Sequence, residues 1–309
     1  MAVADQLATE YEALTHGQGL ADRSDRGKLL LTGTEVKDFL QGQVTNDIEA
    51  LTEDTGCYAA FLTHKGKMLG DMRVFDAGAA GVFLDTERVV LQDLFNMIRR
   101  FKLGRDVEIH KRTLERGLLS LIGPAAHRVE GPEHTHRLDE VGGAAVRLVA
   151  TDLGTDVVCD AGDTERVRAA LIADGAVPVS EAAAEVVRVE SGRPRYGVDL
   201  DDSVIPQEAG LNERAVAFEK GCYVGQETVA RLFYRGKPNR RLCGLTSAVE
   251  LPTGASLMLG DREVGTVRSS VVSPARGPLA LAFVRREAEY DAVLSVSGGE
   301  AQLVELPFR

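Results

Sequence analysis

Apolar residues recur with a helical period in several stretches of the chain. In the clearest of these, from Val90 to Phe101, they return at the spacing of one helix face, as in a helix packed against a core. Further helices are predicted over 4–16, 34–43, 163–174, 180–192 and 224–233. Ser180 is a suitable N-cap for the fourth of these, because its hydroxyl can accept a free backbone N–H of the first turn.

Short runs of apolar and β-branched residues predict strands in the first half of the chain. They lie at 28–33, 57–63, 68–75, 82–86, 117–123, 144–150 and 155–159. The second and third are joined by HKGK, a turn with one glycine, and should form a hairpin. The polar run 129–143 holds two glycine-containing turns, so we expect a surface loop there, with His134 and His136 solvated.

The pattern changes after Pro238. Short apolar runs alternate with glycine over RLCGLTS, REVGTVRSSVVS, PLALAFVRR, AVLSVSG and AQLVEL, and no helical period remains. This is typical of a small all-β domain or barrel. We therefore place a domain boundary near 236–240, at RGKPNR.

Composition narrows the classes of function. The formal charge of −11 makes the surface repel phosphate backbones, so strong direct binding of nucleic acid is not expected. The four cysteines form no CxxC, which argues against a disulfide framework and a cysteine-built zinc site. The first residues are acidic without an apolar run, and no apolar stretch reaches the roughly 18 residues of a membrane span. We expect a cytoplasmic protein.

The stretch KGCYVGQE (220–227) places Cys222 two residues after Lys220 and just before a predicted helix. A nearby cation and a helix N-terminus both favour a thiolate, so Cys222 is a candidate reactive thiol. The alternative is a small buried residue in a glycine-rich turn, and the residues alone leave both interpretations open.

A second candidate is Glu190, in RVESGRPRYG (188–197). Glu190 is predicted near a helix C-terminus, where a carboxylate is electrostatically disfavoured. Compensation would come from Arg188, Arg193 or Arg195, or from a ligand that donates two parallel N–H groups. An ordinary ion pair and a ligand contact are equally compatible with the local sequence.

The third candidate is Asp71, in the predicted strand 68–75. Acids are poor strand formers, so this side chain should face either solvent or a cavity. Alternation places Asp71 on one face with Leu69, Arg73 and Phe75, and a pair between Asp71 and Arg73 at a pocket rim is one expectation.

Taken together, KGCYVGQE, RVESGRPRYG and LQGQVTND (40–47) resemble the YgfZ family of folate-binding proteins, which has a eukaryotic relative in iron–sulfur assembly. A wider resemblance, to the T-protein (aminomethyltransferase) of the glycine cleavage system, runs from about residue 20 to the C-terminus. It implies an α+β fold, with a T-protein-like folate-binding body of two intertwined α/β subdomains (1–237) and a C-terminal small β-barrel (238–309).

The resemblance also implies a ligand, tetrahydrofolate or a derivative, held in a central channel. Glu190, in an R-x-E-x-G pattern, matches the carboxylate that meets the pterin ring in T-proteins. Three more residues of the matched stretches are expected to bind the cofactor, namely Arg195, Tyr196 and Gln226.

Catalytic assignments follow from the same resemblance. Cys222 and Lys220 match residues that matter for function in the YgfZ family. Asp71 lies in the segment that carries a catalytic aspartate in T-proteins, within a G-x-x-x-D-D pattern whose first acid is replaced here by Gly70. That departure, and the absence of KGCY from T-proteins, count against aminomethyl transfer.

We therefore expect a folate-binding accessory protein that supports assembly or repair of iron–sulfur enzymes, with indirect effects on tRNA modification. Its partners would be folate and iron–sulfur enzymes or assembly proteins. The alternative is a tetrahydrofolate-dependent aminomethyltransferase of glycine cleavage, or another one-carbon transferase or demethylase on the same fold. A single cysteine cannot hold an iron–sulfur cluster alone, so any cluster would be shared with a partner.

Overall fold

Two β-sheets and a closed β-barrel organise the chain. The computed structural model describes residues 2–297 and 299–308. The helices are α1 (Ala2–His16), α2 (Val36–Gln41), α3 (Leu91–Phe101), α4 (Thr164–Ala173), α5 (Glu181–Glu190), α6 (Asn212–Ala215) and α7 (Gln226–Arg235). In the part of the chain that is described, no helix is both long and apolar enough to cross a membrane.

The first sheet has five antiparallel strands in the order β3-β4-β5-β2-β6. Its strands are β2 (Gly27–Thr32), β3 (Gly56–Leu62), β4 (Met68–Asp76), β5 (Val82–Thr86) and β6 (Glu108–Lys111). Helices α2 and α3 cover one face, with the predicted stripe residues Leu91, Leu94 and Ile98 buried against it. Phe101, at the end of the stripe, is 52% exposed, because the helix ends there.

The second sheet has six strands in the order β11-β1-β7-β10-β9-β8. Its strands are β1 (Gly19–Asp22), β7 (Arg116–Ile122), β8 (His136–Val141), β9 (Ala144–Thr151), β10 (Gly154–Asp160) and β11 (Val177–Pro178). Helix α4 packs on its outer face, around Leu119, Val157 and Val167. All neighbours in this sheet are antiparallel except β1 and β11.

The expectation of a solvated loop over 129–143 is wrong. Strand β8 pairs with β9 through a tight turn at Gly142 and Gly143, whose positive φ values of 59° and 76° suit a hairpin. His134 and His136 are 3% and 1% exposed, and both rings pack edge-on against Phe75. Polar residues elsewhere on the strand conceal the pattern, because only one face of an edge strand is buried.

The barrel closes in the order β12-β15-β14-β13-β16-β17. Its strands are β12 (Arg240–Ser247), β13 (Ser256–Leu259), β14 (Arg262–Ser273), β15 (Gly277–Arg285), β16 (Val293–Val296) and β17 (Gly299–Val304). Leu245, Val267 and Leu303 are part of its own core. On its outside, Leu281 and Phe283 share a second cluster with residues of the α+β body, so barrel and body are packed together.

Helix α5 lies between the body and the barrel. It begins where predicted, with the Ser180 hydroxyl accepting from the backbone N–H of Ala183. Its apolar side packs against α1, around Tyr11, Leu14 and Val187. The position of α5 fixes the segment that follows it, residues 191–200, beside the space between the two sheets.

Candidate functional site

The inner faces of the two sheets carry charged side chains that meet between them. Arg73 on β4 binds Asp85 on β5 and Asp156 on β10, with both nitrogen–oxygen distances 2.5 Å. Arg26 also binds Asp85, at 2.9 Å. Burial alone would raise the pKa of Asp85, but the guanidinium groups of Arg26 and Arg73 lower that pKa to about 2. Arg26, Arg73, Asp85 and Asp156 are called the ion-pair wall below, because they divide the space into two cavities.

On one side of the ion-pair wall lies a polar cavity of about 370 Å³, called the central cavity below. Seven arginines and eight acids line it. The arginines are residues 23, 26, 73, 188, 193, 195 and 214, and the acids are residues 22, 25, 71, 87, 133, 152, 156 and 181. The acids outnumber the arginines by one, so the cavity has no net positive charge, but each guanidinium group is a donor that suits a ligand carboxylate.

Asp71 is the carboxylate of this cavity with the most unusual environment. It is 6% exposed, and its Oδ2 accepts a hydrogen bond of 2.5 Å from the Tyr58 hydroxyl. Burial raises the pKa of Asp71 to about 6, although the Tyr58 hydrogen bond partly opposes the shift. A carboxyl group with this pKa can hold or release a proton near neutral pH, as general acids and bases do.

The expected pair between Asp71 and Arg73 is wrong. Although both line the central cavity, the Arg73 guanidinium binds Asp85 and Asp156, and Asp71 binds Tyr58 instead. Tyr58 in turn lies under the Arg214 guanidinium, 5.0 Å from the ring centroid. Residues two apart on a strand share a face, but their side chains bind whichever partner the neighbouring strands bring closer.

Gly70, which stands where T-proteins have an acid, is tightly packed. A Cβ atom added there would lie 2.4 Å from Cγ1 of Val90, a buried residue just before α3. A side chain at position 70 therefore requires Val90 to move or to be smaller. An acid at position 70 and Val90 in its present place would therefore clash.

Glu190, predicted to lie on the wall of the folate pocket, does not line the central cavity. Its carboxylate accepts hydrogen bonds from Tyr11 at 3.0 Å and from Ser273 at 2.5 Å, between α1 and the barrel. Arg188, two residues earlier on α5, does line the cavity. Two residues are about 200° apart around a helix, so Arg188 and Glu190 face opposite ways.

Arg195 and Tyr196, the other predicted cofactor residues of this stretch, both line the central cavity. Arg195 binds Glu181 at 3.1 Å and Glu185 at 3.4 Å. Burial, followed by the charge of Asp71, raises the pKa of Tyr196 to about 12, so its hydroxyl stays neutral. The structure thus brings Asp71, Arg195 and Tyr196 to one cavity and leaves Glu190 outside it.

The KGCYVGQE segment lies apart from that cavity and is anchored by Lys220. The Lys220 ammonium donates to the backbone carbonyls of Gln41, Val44 and Asn46, at 2.8, 2.8 and 2.6 Å. These carbonyls belong to LQGQVTND, so two of the three signature stretches meet in space. Burial lowers the pKa of Lys220 to about 8.

The Lys220 ammonium and the first residue of α7 are placed differently from what the prediction for Cys222 assumed. The three carbonyls turn the ammonium inward, while Cys222 is exposed at the surface. Helix α7 begins only at Gln226, four positions after the cysteine. The cysteine that interacts electrostatically with Lys220 is Cys57. Burial nevertheless raises the pKa of the Cys57 thiol to about 12.

A close approach of two turns fixes the end of the segment. Gly225 has a φ of 85°, and a Cβ atom added to it would lie 2.5 Å from the carbonyl oxygen of Thr63. Only glycine fits there, because the β3–β4 hairpin turn packs directly against it. Gln226, a predicted cofactor residue, follows at the start of α7 and does not line the central cavity.

Sequence reasoning missed Tyr58, Arg26, Arg214 and Asp156 as residues of the central cavity. The sequence did carry a signal for Asp156, because an acid is unusual inside a strand such as β10 (GTDVVCD). Tyr58 and the two arginines carry no such signal, since tyrosine is common in strands and arginine on surfaces.

Comparison with known proteins agrees with this architecture. The family model described as the GCVT N-terminal domain matches residues 1–220. A chloroplastic protein of Arabidopsis thaliana with the name "putative transferase" is 26% identical over 90% of this chain and 67% of its own length. The aminomethyltransferase of Rubrobacter xylanophilus is 28% identical over 98% of this chain and 86% of its own.

A solved structure shows the same fold. The glycine cleavage system aminomethyltransferase T from Bartonella henselae matches with a TM-score of 0.87, covering 98% of this chain and 89% of that one at 21% identity. This match and the closed barrel confirm the predicted α+β T-protein-like fold. Since the family model covers more than half of the 309 residues, the chain belongs to the GCVT-domain family, within the T-protein-like aminomethyltransferase superfamily.

Proposed function

We propose that the central cavity binds tetrahydrofolate or a derivative of it. The observation that carries the proposal is the buried Asp71–Tyr58 pair in a cavity that also holds seven arginines. A carboxylate suits the paired N–H donors of a pterin ring, and guanidinium groups suit the carboxylates of the glutamate tail. The aminomethyltransferase named among the relatives supports a ligand of this class.

Different residues of the central cavity would then have different roles toward the bound folate. Folate, when bound, supplies the carrier for a one-carbon unit. Asp71 would accept the N–H groups of the pterin edge and, with a pKa of about 6, could take up or release a proton near neutral pH, while the Tyr58 hydroxyl orients the carboxylate by donating to Oδ2. Arg195 and Tyr196 would line the entrance from the side of residues 191–200, and the ion-pair wall would close the inner end.

We infer that the chain acts as an accessory protein for iron–sulfur enzymes, as the YgfZ-like signature suggests, and that it does so in the cytoplasm. The exposed Cys222 supports this, because it lies on a segment that Lys220 and Gly225 hold in one conformation. A fixed, exposed thiol can meet a partner protein, whereas a thiol acting on bound folate would have to line the central cavity. Indirect effects on tRNA modification would follow from the client enzymes.

Aminomethyl transfer is the second candidate. The similarity to the aminomethyltransferase of Rubrobacter xylanophilus favours it. Gly70 and its contact with Val90 count against it, because the chain lacks the first acid of the T-protein pattern and the packing leaves no room for a side chain there.

A calorimetric titration tests the ligand. We expect 5-formyltetrahydrofolate to bind the wild-type protein, and Asp71→Ala to weaken binding by about 1–3 kcal/mol, because ligand donors lose a buried acceptor. Asp76→Ala is the matched control, since Asp76 is an equally buried acid at the end of the same strand that pairs with Lys37 instead. No binding by the wild type, or equal affinity in Asp71→Ala, would overturn the folate assignment.

A second experiment separates accessory function from aminomethyl transfer. Purified protein is given aminomethyl-lipoyl carrier protein and tetrahydrofolate, and methylenetetrahydrofolate is measured. We expect no enzymatic rate. Capture of native partners with the wild type should yield iron–sulfur proteins that are lost with Cys222→Ser. Turnover at an enzymatic rate would favour the alternative, and identical partners for both chains would remove Cys222 from the proposal.

A further inference from the structure

The ion-pair wall has a second cavity on its other side, with a different lining. Its volume is about 240 Å³, and it is called the apolar cavity below. Twelve apolar residues form most of its walls. They are Leu30, Phe75, Ala77, Ala80, Phe83, Leu118, Leu138, Ala145, Val146, Val149, Val158 and Cys159. Among the residues that the structure describes, Arg73 alone lines both cavities, so the ion-pair wall separates them.

The charged residues of the apolar cavity are mostly cations. Lys28, Arg73, Arg112, Arg116 and Arg147 line it, against two acids, Asp85 and Asp160. Five cations and two acids give a net charge of +3 in a chain whose net charge is −11. Three of these cations pair with acids outside the lining, so the cavity offers an anion guanidinium donors rather than a large net charge.

Three of the cations lie where the cavity meets solvent. The side chains of Arg112, Arg116 and Arg147 are 30%, 39% and 19% exposed. Their acidic partners, Glu115, Asp160 and Asp54, are all more than half exposed. Exposed ion pairs contribute little stability, so a ligand carboxylate can take the place of such a partner at small cost.

One donor at this mouth is unused. The Nε of Arg112 is buried and has no hydrogen-bond partner among the described residues. A buried guanidinium N–H without a partner is unusual, because leaving such a donor unpaired costs free energy. The pair with Glu115 thus leaves part of the hydrogen-bonding capacity of Arg112 unused.

We propose that the apolar cavity binds a small monocarboxylate with an apolar body, such as an aromatic carboxylate. The arginines at the mouth would hold the carboxylate, and the apolar walls would enclose the body. A cavity of about 150 Å³ holds a benzene molecule, so one of 240 Å³ takes a body of about ten carbon atoms. This site is independent of the proposed folate site, because the ion-pair wall lies between them.

A titration with 2-naphthoate tests the proposal, since two fused rings match the size of the cavity. We expect binding by the wild-type protein and at least about tenfold weaker binding of 2-naphthamide, which has the same shape without the charge. Affinity for 2-naphthoate should be unchanged when 5-formyltetrahydrofolate is present in excess. Failure of 2-naphthoate to bind, equal affinity for the amide, or competition by the folate would overturn the proposal.

Substitutions locate the binding. Val158→Phe places a ring inside the cavity and should abolish binding, while Val293→Phe, on an exposed barrel position, should leave it intact. Unchanged affinity in a folded Val158→Phe protein would contradict the proposal.

If that variant does not fold, the double variant Arg112→Gln/Arg116→Gln decides. It should bind about tenfold more weakly. The control Arg137→Gln changes an exposed arginine outside the cavity and should bind like the wild type. Equal affinity in the wild type, the double variant and this control would overturn the proposal.

Discussion

The central cavity is assembled from side chains that are far apart in the chain, whereas KGCYVGQE is one short segment anchored to its neighbours. Asp71, Asp156 and Arg214 reach the cavity from three separate parts of the sequence. In KGCYVGQE, Lys220 and Gly225 fix the backbone, and the side chain with the most distinctive chemistry, Cys222, points to the surface. A conspicuous motif can therefore be a structural anchor that presents one exposed group, while the ligand chemistry lies elsewhere.

The two regions are nevertheless connected. The loop that Lys220 binds includes Asn46, whose side-chain amide donates to the backbone carbonyl of Tyr58 at 2.9 Å. Tyr58 is the residue that holds Asp71. Damage to the anchor should therefore reach the cavity through β3, whereas removal of the exposed thiol should not.

The largest effect is expected from Lys220→Met. Three backbone acceptors would lose a charged donor, and such bonds contribute roughly 1.5 kcal/mol each, so the free energy of unfolding should fall by about 4 kcal/mol. Urea unfolding measures it, with Lys237→Met at an exposed position as control. A loss below about 1 kcal/mol would show that Lys220 is not an anchor.

Asp71→Asn should stabilise the protein at pH 8 by about 3 kcal/mol. The pKa of Asp71 is raised from 3.8 to about 6 by burial, so the folded state carries an unfavourable charge above pH 6 that asparagine removes. The gain should shrink as the pH falls from 6 to 4, because the wild-type carboxyl becomes protonated in the folded state first. Thermal unfolding across this range checks the slope, and a gain that is independent of pH would refute the explanation.

Glu190→Gln should reduce the free energy of unfolding by about 1 kcal/mol, because the hydrogen bonds from Tyr11 and Ser273 lose a charged acceptor. Affinity for 5-formyltetrahydrofolate should not change, since Glu190 does not line the central cavity. Weaker folate binding at unchanged stability would instead support the assignment made from the R-x-E-x-G match.

The smallest effect is expected from Cys222→Ser. An exposed residue away from packing contacts should change the free energy of unfolding by less than about 0.5 kcal/mol. Iodoacetamide should modify Cys222 before the other cysteines, because burial raises the pKa of Cys57, Cys159 and Cys243. Mass spectrometry of partly labelled protein identifies the order, and earlier labelling of any buried cysteine would contradict it.

Local patterns were enough for much of the fold. The stripe around Leu94 predicted α3, Ser180 predicted the start of α5, and the change after Pro238 predicted an all-β region. Strand β8 was not predicted because its one buried residue is His136, which a pattern of apolar residues does not count. Each of these features depends on residues close together in the chain.

The site depends on contacts between distant residues, and those were not predictable from spacing. Alternation placed Asp71 and Arg73 on one face correctly, but their partners come from β3, β5 and β10. Lys220 was close to Cys222 in sequence, yet three carbonyls of a loop about 175 residues earlier bind its ammonium. Sequence proximity gives no information about which way a long side chain turns.

A crystal structure with bound 5-formyltetrahydrofolate tests the central claim most directly. The account predicts the pterin ring between the two sheets, with its N–H groups within hydrogen-bond distance of Asp71 and with KGCYVGQE away from the ligand. A pterin ring bound against Glu190 or beside Cys222, with the central cavity left to solvent, would contradict it.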